Sequence, residues 1–183
     1  MLTSIGRFVA CIAILLVSAI PTAAQDEGIS REYPIKAAYL YNFCNFVEWP
    51  DEAFVDANAP FVIGVLGRDP FGKLLDQIAA KKVGGRAVVV KRFSSAADIE
   101  NCHLLFISSA LTAEQVGAAL AKLSGSPTLL VGESPQFAER GGVIGFRLQL
   151  NKVKFDINPQ TAKQRHLKVS SKLLSLAHIV GGP

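Results

Sequence analysis

The stretch Phe61-Val62-Ile63-Gly64-Val65-Leu66-Gly67 decides the fold. It is an uninterrupted apolar run of strand length, whereas a strand with one face in water alternates apolar and polar residues. Continuous runs of this kind are typical of strands covered on both faces, as in a parallel sheet. The turn Arg68-Asp69-Pro70-Phe71 then leads into a helical pattern over 73–82. The local order is therefore strand, turn, helix.

The same alternation continues along the chain. The sequence predicts strands over 87–93, 103–107 and 128–131, a helix over 113–123, and a short helix over 136–140. Strands separated by helices indicate βαβ units. We therefore expect an α/β fold with a mostly parallel central sheet of about five to six strands, flanked by helices.

A carboxy-terminal hairpin is predicted next. Gly141-Gly142 precedes a strand over 143–150, and a strand over 153–157 follows it across Asn151-Lys152. A link of about two residues joins antiparallel neighbours, so the pair should form a hairpin at a sheet edge.

Two helix starts follow the hairpin. Asn158-Pro159 supplies an N-cap and a first-turn proline. Ser170-Ser171 precedes a final helical pattern that includes Leu173 and Leu176 and extends to Val180.

An aromatic helix is predicted before the first strand, from Tyr33-Pro34 to Trp49-Pro50, because proline suits a first helical turn and bars continuation at the far end. Its polar side carries Tyr41, Asn45 and Glu48. Its aromatic content exceeds what one core face requires, so core packing and a partner or ligand surface both remain open. The aromatic residues are Tyr33, Tyr39, Tyr41, Phe43, Phe46 and Trp49.

Residues 1–24 have the layout of a secretory signal peptide. One basic residue, Arg7, precedes the apolar run 8–20, and small residues lie before the polar Gln25-Asp26-Glu27. The apolar run is shorter than the roughly 20 residues that span a bilayer. We therefore predict cleavage after Ala24, export from the cytoplasm, and a single folded domain over 25–183.

Composition excludes several classes of protein. The chain has 183 residues, of which 50% are apolar and 19% are charged, with a net charge of +4. These values exclude a disordered or collagen-like chain. The basic excess is mild and not clustered, which argues against a nucleic-acid-binding protein.

The sequence contains no recognisable catalytic constellation. It lacks a Gly-x-Ser-x-Gly motif, and His103, His166 and His178 occur without the spacing of metal ligands. We therefore expect no enzymatic activity, no metal and no cofactor.

Polar residues follow the strands at their predicted carboxyl ends. Open α/β sheets bind ligands beyond those ends, so this rim could hold a small polar or phosphorylated molecule. Ordinary solvated loops are the alternative. The residues are Arg68, Asp69, Phe71, Ser108, Ser109 and Glu133.

A second basic set and two cysteines complete the candidates. Arg147, Arg165 and His166 could form a basic patch, or a solvated face. In an oxidising compartment Cys44 and Cys102 could pair, or both could be small buried hydrophobic residues.

Several stretches together resemble the YfiR family of exported bacterial regulators. Their order and spacing carry the resemblance, which covers nearly all of the chain after residue 24. Relatives commonly carry a cysteine in the first strand, where this chain has Gly64. The stretches are Lys36-Ala37-Ala38-Tyr39-Leu40-Tyr41-Asn42-Phe43, Phe46-Val47-Glu48-Trp49-Pro50, Val65-Leu66-Gly67-Arg68-Asp69-Pro70-Phe71-Gly72, Cys102-His103-Leu104-Leu105-Phe106-Ile107-Ser108, Gly141-Gly142-Val143-Ile144, Lys152-Val153-Lys154-Phe155-Asp156-Ile157-Asn158 and Ser170-Ser171-Lys172-Leu173-Leu174.

The resemblance implies a periplasmic α/β protein, often dimeric. It implies a repressor that engages the periplasmic sensor region of an inner-membrane diguanylate cyclase, lowers cyclic di-GMP and limits biofilm. Exposed residues of the first and last helices would contact the cyclase. A periplasmic small-molecule sensor or carrier with a site at the strand rim is the alternative. The partner-binding candidates are Tyr41, Asn45, Glu48, Trp49, Leu173 and Leu176.

Overall fold

A computed structural model describes residues 24–181, with side chains from residue 31 onward. The predicted signal peptide lies outside the described residues except for Ala24, which begins the first helix. The helices are α1 (Ala24–Phe46), α2 (Lys73–Ala79), α3 (Ala113–Lys122), α4 (Pro159–Gln164) and α5 (Ser171–Leu174). None of these helices is long and apolar enough to cross a membrane.

Ten strands form two sheets. A small sheet pairs β1 and β9 antiparallel, and the main sheet has the order β10-β8-β7-β6-β5-β2-β4-β3. The strands are β1 (Val47–Glu48), β2 (Phe61–Leu66), β3 (Lys82–Val83), β4 (Arg86–Phe93), β5 (Leu104–Ile107), β6 (Leu129–Gly132), β7 (Ile144–Gln149), β8 (Lys152–Ile157), β9 (Lys168–Val169) and β10 (His178–Ile179).

The predicted α/β class is confirmed. Five neighbouring pairs of the main sheet are parallel, and the β7–β8 and β3–β4 pairs are antiparallel. The sheet has eight strands because the two-residue strands β3 and β10 extend its edges. Strands this short carry no periodicity, so the sequence did not predict them.

The apolar run 61–67 forms a buried parallel strand, as predicted. β2 lies between β4 and β5, and it is buried along almost its whole length. Phe61, Ile63 and Val65 point to one face and alternate with Gly64 and Leu66 on the other. Helix α1 packs on the first face, where Phe43 contacts Phe146 of β7 and Phe155 of β8 at ring-centroid distances of 5.7 and 5.1 Å.

The predicted start and end of α1 were both wrong. The helix begins at Ala24, and Pro34 is an exposed residue within it. The backbone hydrogen bond that this proline cannot donate is therefore missing on the solvent-exposed side of the helix. The helix ends at Phe46 because Val47 and Glu48 pair with Val169 and Lys168.

The carboxy-terminal hairpin is confirmed, and its turn is Leu150-Asn151. Both residues have positive φ, at 50° and 57°, as two-residue hairpin turns with the right-handed twist require. The hairpin does not form the sheet edge, because β10 pairs with β8. This pairing also explains why the predicted final helix stops at Leu174, since His178 and Ile179 are extended.

The predicted short helix over 136–140 is also wrong. The segment forms turns, and Gln136 has a φ of 58°, which a right-handed helix cannot contain. Its Phe137 fills the space above Gly132 and Gly142. A Cβ on Gly142 would lie 2.1 Å from the Phe137 ring, so this ring requires glycine beneath it.

Candidate functional site

The strand order places a crevice between β2 and β5. The parallel strands β4, β2, β5, β6 and β7 have the order 2-1-3-4-5 when they are numbered along the chain. The chain leaves β2 toward one edge of the sheet and leaves β5 toward the other. Right-handed crossovers then direct the two connections to opposite faces. Open α/β sheets bind their ligands where such a reversal occurs.

A cleft of about 520 Å³ lies at this reversal. It includes five of the six predicted rim residues, so the sequence located this cluster correctly. The sixth, Phe71, is 3% exposed and packs against Phe106 at 4.7 Å between ring centroids, so it belongs to the core and not to the cleft lining. The lining residues are Tyr33, Arg68, Asp69, Pro70, Ser108, Ser109, Ala110 and Glu133.

Glu133 is held by a buried ionic cluster. Its Oε2 accepts a hydrogen bond from Lys36 Nζ at 2.5 Å, and its Oε1 accepts from the hydroxyl of Ser109 at 2.9 Å. Lys36 also pairs with Glu32 one helical turn earlier. Burial lowers the pKa of Lys36, but the hydrogen bonds to Glu133 and Glu32 outweigh burial and raise it. The cluster therefore ties α1 to the rim as an ion pair.

Asp69 also has its partners within the protein. Its Oδ1 accepts from the backbone N–H of Phe71 at 2.7 Å and of Gly72 at 3.2 Å, and its Oδ2 accepts from Arg92 Nε at 2.8 Å. Asp69 therefore shapes the turn after β2. Arg68 is exposed and makes no ion pair with any described residue.

An apolar groove of about 330 Å³ adjoins the cleft. The two share Ser109, and α3 supplies one wall of the groove. Leu111, Val116, Leu120 and Phe137 are its main apolar lining, and Arg140 lies at its rim. This groove was not predicted from the sequence, because Phe137 comes from a segment that was predicted to be helical and instead forms turns.

The partner-binding candidates lie around the end of α1. Asn45 and Trp49 border a pocket with Val83 and Arg86 on one side, and α5 contacts the end of α1 at Phe46. The backbone N–H of Ser170 donates to the carbonyl of Phe46 at 2.9 Å, and Lys172 Nζ lies 5.2 Å from the Phe46 ring. This joins the end of α1 to the start of α5. The docking face, as we define it, comprises Asn45, Glu48, Trp49 and Leu176.

The members of this set differ in accessibility. Asn45 and Glu48 are exposed, and Leu176 is 65% exposed. Trp49 is half-buried, and its Nε1 donates to the carbonyl of His103 at 3.0 Å. Tyr41 is half-buried and donates to the carbonyl of Lys82 at 3.2 Å. Leu173 is 2% exposed, so it belongs to the core and not to the surface.

His103 fixes the loop that precedes β2. Its Nδ1 accepts from the backbone N–H of Val62 at 2.9 Å, and its Nε2 donates to the carbonyl of Ala53 at 3.0 Å. The ring stacks between Phe54 and Phe61, with centroids 4.4 and 4.8 Å away. The hydrogen bond that Nδ1 accepts requires the neutral ring, because both nitrogens of the protonated ring are donors. Burial lowers the pKa of His103 below its ordinary value of 6.5.

We expect stability to fall with acid through His103. Because its folded-state pKa is lowered, the unfolded chain binds more protons, and the stability present above pH 6.5 is lost as pH falls toward the folded-state pKa. Urea unfolding between pH 7.5 and about 5 should show a shallower decline in His103→Gln than in the unaltered protein. His166→Gln, at an exposed residue, is the control. Equal slopes in all three proteins would contradict a buried neutral His103.

The two cysteines are free and buried. Cys44 lies on α1 among residues that include Phe61, whereas Cys102 lies 3.4 Å from the Cβ position of Gly64. Phe61 and Gly64 point to opposite faces of the sheet, so the two thiols do as well. The structure thus matches the interpretation of both as small buried hydrophobic residues. Burial raises the pKa of Cys102 to about 12.

The second basic set is not a cluster. Arg165 is 7% exposed and donates to the carbonyl of Leu123 at 2.8 Å, where it caps the end of α3. Arg147 lies on the hairpin and pairs with Asp156 at 2.7 Å. His166 is an exposed turn residue with a φ of 56°. Within residues 24–181 no group of three potential ligands could hold a metal ion.

Sequence reasoning missed Lys36, Glu32 and Arg92. A lysine on an aromatic helix is normally assigned to the solvent side, and no local pattern indicates a partner 97 positions away. The available signal was weak: Glu32 and Lys36 have the i, i+4 spacing of a helical ion pair.

Comparisons with known proteins agree with this architecture. Residues 33–178 match the YfiR/HmsC-like protein family. The chain is similar to the crystal structure of a conserved domain protein from Vibrio cholerae O1 biovar El Tor strain N16961, with a TM-score of 0.56 and 14% identity. The similarity covers 81% of this chain and 60% of that one, and at this identity it shows a shared fold. No curated protein matches the chain.

Proposed function

The chain belongs to the YfiR/HmsC-like family, and on this premise we propose that it is a periplasmic negative regulator of an inner-membrane diguanylate cyclase. It binds the periplasmic sensor region of the cyclase and lowers cyclic di-GMP output, which limits biofilm formation. This is a binding function without catalysis. The family match over residues 33–178 carries the proposal.

The docking face is the surface we propose for the cyclase. It combines exposed polar groups at the end of α1 with an exposed leucine after α5, and interfaces commonly have such an apolar centre with a polar rim. Asn45 and Glu48 supply the polar groups, and Leu176 supplies the apolar contact. We also propose that the protein is a homodimer, which light scattering of the purified protein tests directly.

The proposed function is tested in cells and with purified proteins. Deleting the gene should raise cyclic di-GMP, and the purified protein should retain the sensor domain of a co-resident diguanylate cyclase in a pull-down. Unchanged cyclic di-GMP together with no retained sensor domain would refute the proposal.

Leu176→Asp should weaken retention of the sensor domain about tenfold or more, because burying an unpaired charge at an apolar contact costs more than the roughly 1.4 kcal/mol that a tenfold change represents. Leu150→Asp is the matched control, since Leu150 is 92% exposed at the hairpin turn outside the docking face. The thermal melting temperature of both variants should stay near that of the unaltered protein. If Leu150→Asp lost binding and Leu176→Asp kept it, the partner surface would lie at the hairpin instead.

A further inference from the structure

The cleft between β2 and β5 and the groove beside α3 are neighbours that meet at Ser109, and we refer to the two together as the depression. Their volumes are about 520 and 330 Å³. Pockets for small molecules commonly measure about 300–1,000 Å³ and combine an apolar lining with a few polar groups. We propose that this depression binds a small organic carboxylate, with its carboxylate on Arg68 and its apolar part in the groove.

Charge at the cleft favours an anionic group on Arg68. The two carboxylates of the lining already have cationic partners, since Asp69 pairs with Arg92 and Glu133 pairs with Lys36. Within the cleft, Arg68 is the cationic lining residue whose charge no described carboxylate balances. Arg140 also has no carboxylate partner among the described residues, but it lies beside the apolar lining of the groove. A guanidinium group binds a carboxylate through two parallel hydrogen bonds, which gives both affinity and orientation.

The available donors suit a carboxylate better than a phosphate. The backbone N–H of Ser109 is directed to Glu133, and the N–H of Gln115 in the first turn of α3 is capped by Thr112. The guanidinium of Arg68 and the hydroxyl of Tyr33 are available as donors, whereas the hydroxyl of Ser109 already donates to Glu133. These groups match the two oxygens of a carboxylate, whereas a doubly charged phosphate would also lie close to Glu133 and Asp69.

The groove accounts for the apolar part of the ligand. Val116 and Leu120 present one side of α3 to it, and Phe137 forms the opposite wall. Phe137 is fixed in place because it covers Gly132 and Gly142. The groove is therefore preformed, and burying an apolar group there contributes about 25 cal/mol per Å² removed from water.

This proposal is independent of the cyclase, and its test uses the purified protein alone. The purified protein is titrated by calorimetry with 4-phenylbutyrate, 4-phenyl-1-butanol and 4-phenylbutylamine. These compounds share a phenylalkyl chain and carry a negative, a neutral and a positive terminal group. The carboxylate should bind at least about tenfold more tightly than the alcohol, and the amine should bind most weakly. Equal affinity for the three compounds, or no binding up to about 10 mM, would overturn the proposal.

Arg68→Gln should weaken binding of 4-phenylbutyrate about tenfold and leave the alcohol unchanged. Arg140→Gln tests the second cation of the depression, which lies at the rim of the groove. Lys154→Gln, at an exposed residue of β8 outside the depression, is the control and should leave binding unchanged. Val116→Trp should weaken the acid and the alcohol alike by filling the groove. A loss of carboxylate binding in Arg140→Gln but not in Arg68→Gln would refute the assignment of Arg68.

Discussion

Replacing Lys36 by methionine should lower the free energy of unfolding by about 3–5 kcal/mol. The side chains of Lys36 and Glu133 are 5% and 6% exposed. Removing the ammonium leaves the Glu133 carboxylate buried without its cationic partner, while methionine keeps most of the side-chain volume. The desolvation cost of the unpaired charge therefore dominates over any change in packing. Urea unfolding at pH 7 measures the effect.

The control for Lys36 removes the charge from both sides of the pair. The double variant Lys36→Met with Glu133→Gln removes the buried charge of Glu133 and leaves Glu32, whose side chain is 16% exposed, without its lysine. It should recover at least about 1–2 kcal/mol of the loss. If the single and double variants were equally destabilised, the loss would not come from the unpaired charge of Glu133. The Lys36–Glu133 pair would then contribute nothing to how α1 is held on the sheet.

Phe43→Ala should lower the free energy of unfolding by about 3–5 kcal/mol. Phe43 is fully buried, and its ring packs between Phe146 and Phe155 across the face of the sheet. Truncation leaves a cavity that these neighbouring rings cannot fill without moving off their rotamers. Chemical denaturation of the purified protein measures the loss. Phe43→Leu should cost much less, because it keeps most of the apolar volume.

Phe46 should behave differently from Phe43, although both are aromatic residues near the end of α1. It is half-buried beside Lys172. Phe46→Ala should therefore cost less than Phe43→Ala, by an amount set by its smaller buried area. Similar losses at the two positions, or near-normal melting of Phe43→Ala, would contradict the placement of α1.

Local sequence patterns determined most of the main elements. The apolar run 61–67 predicted a buried parallel strand, and β2 is that strand. Asn158 and Ser170 were predicted as helix caps, and their side chains accept hydrogen bonds from Thr161 and Leu173 N–H. Such features need only neighbouring residues, because an N-cap or a strand-length apolar run acts within a few positions.

The sequence also located much of the cleft, for a general reason. Residues at the carboxyl ends of parallel strands meet at one sheet edge, whatever the side-chain details. Arg68, Ser108 and Glu133 therefore line a common cleft although they are distant in the chain. The sequence did not predict which of these residues has an unpaired charge. That depends on Lys36 and Arg92, which lie on other elements and pair with Glu133 and Asp69.

Long-range pairing decided the remainder. The final helix stops at Leu174 because β10 pairs with the edge of β8. Helix α1 stops at Phe46 because β1 pairs with β9. The pairs are two residues long, too short for any periodicity, and each is stabilised by partners remote in the chain. Sequence thus determined the class, the central strands and the position of the rim. Tertiary structure decided where the terminal elements end and which charges at the rim are already paired, because both depend on contacts between distant residues.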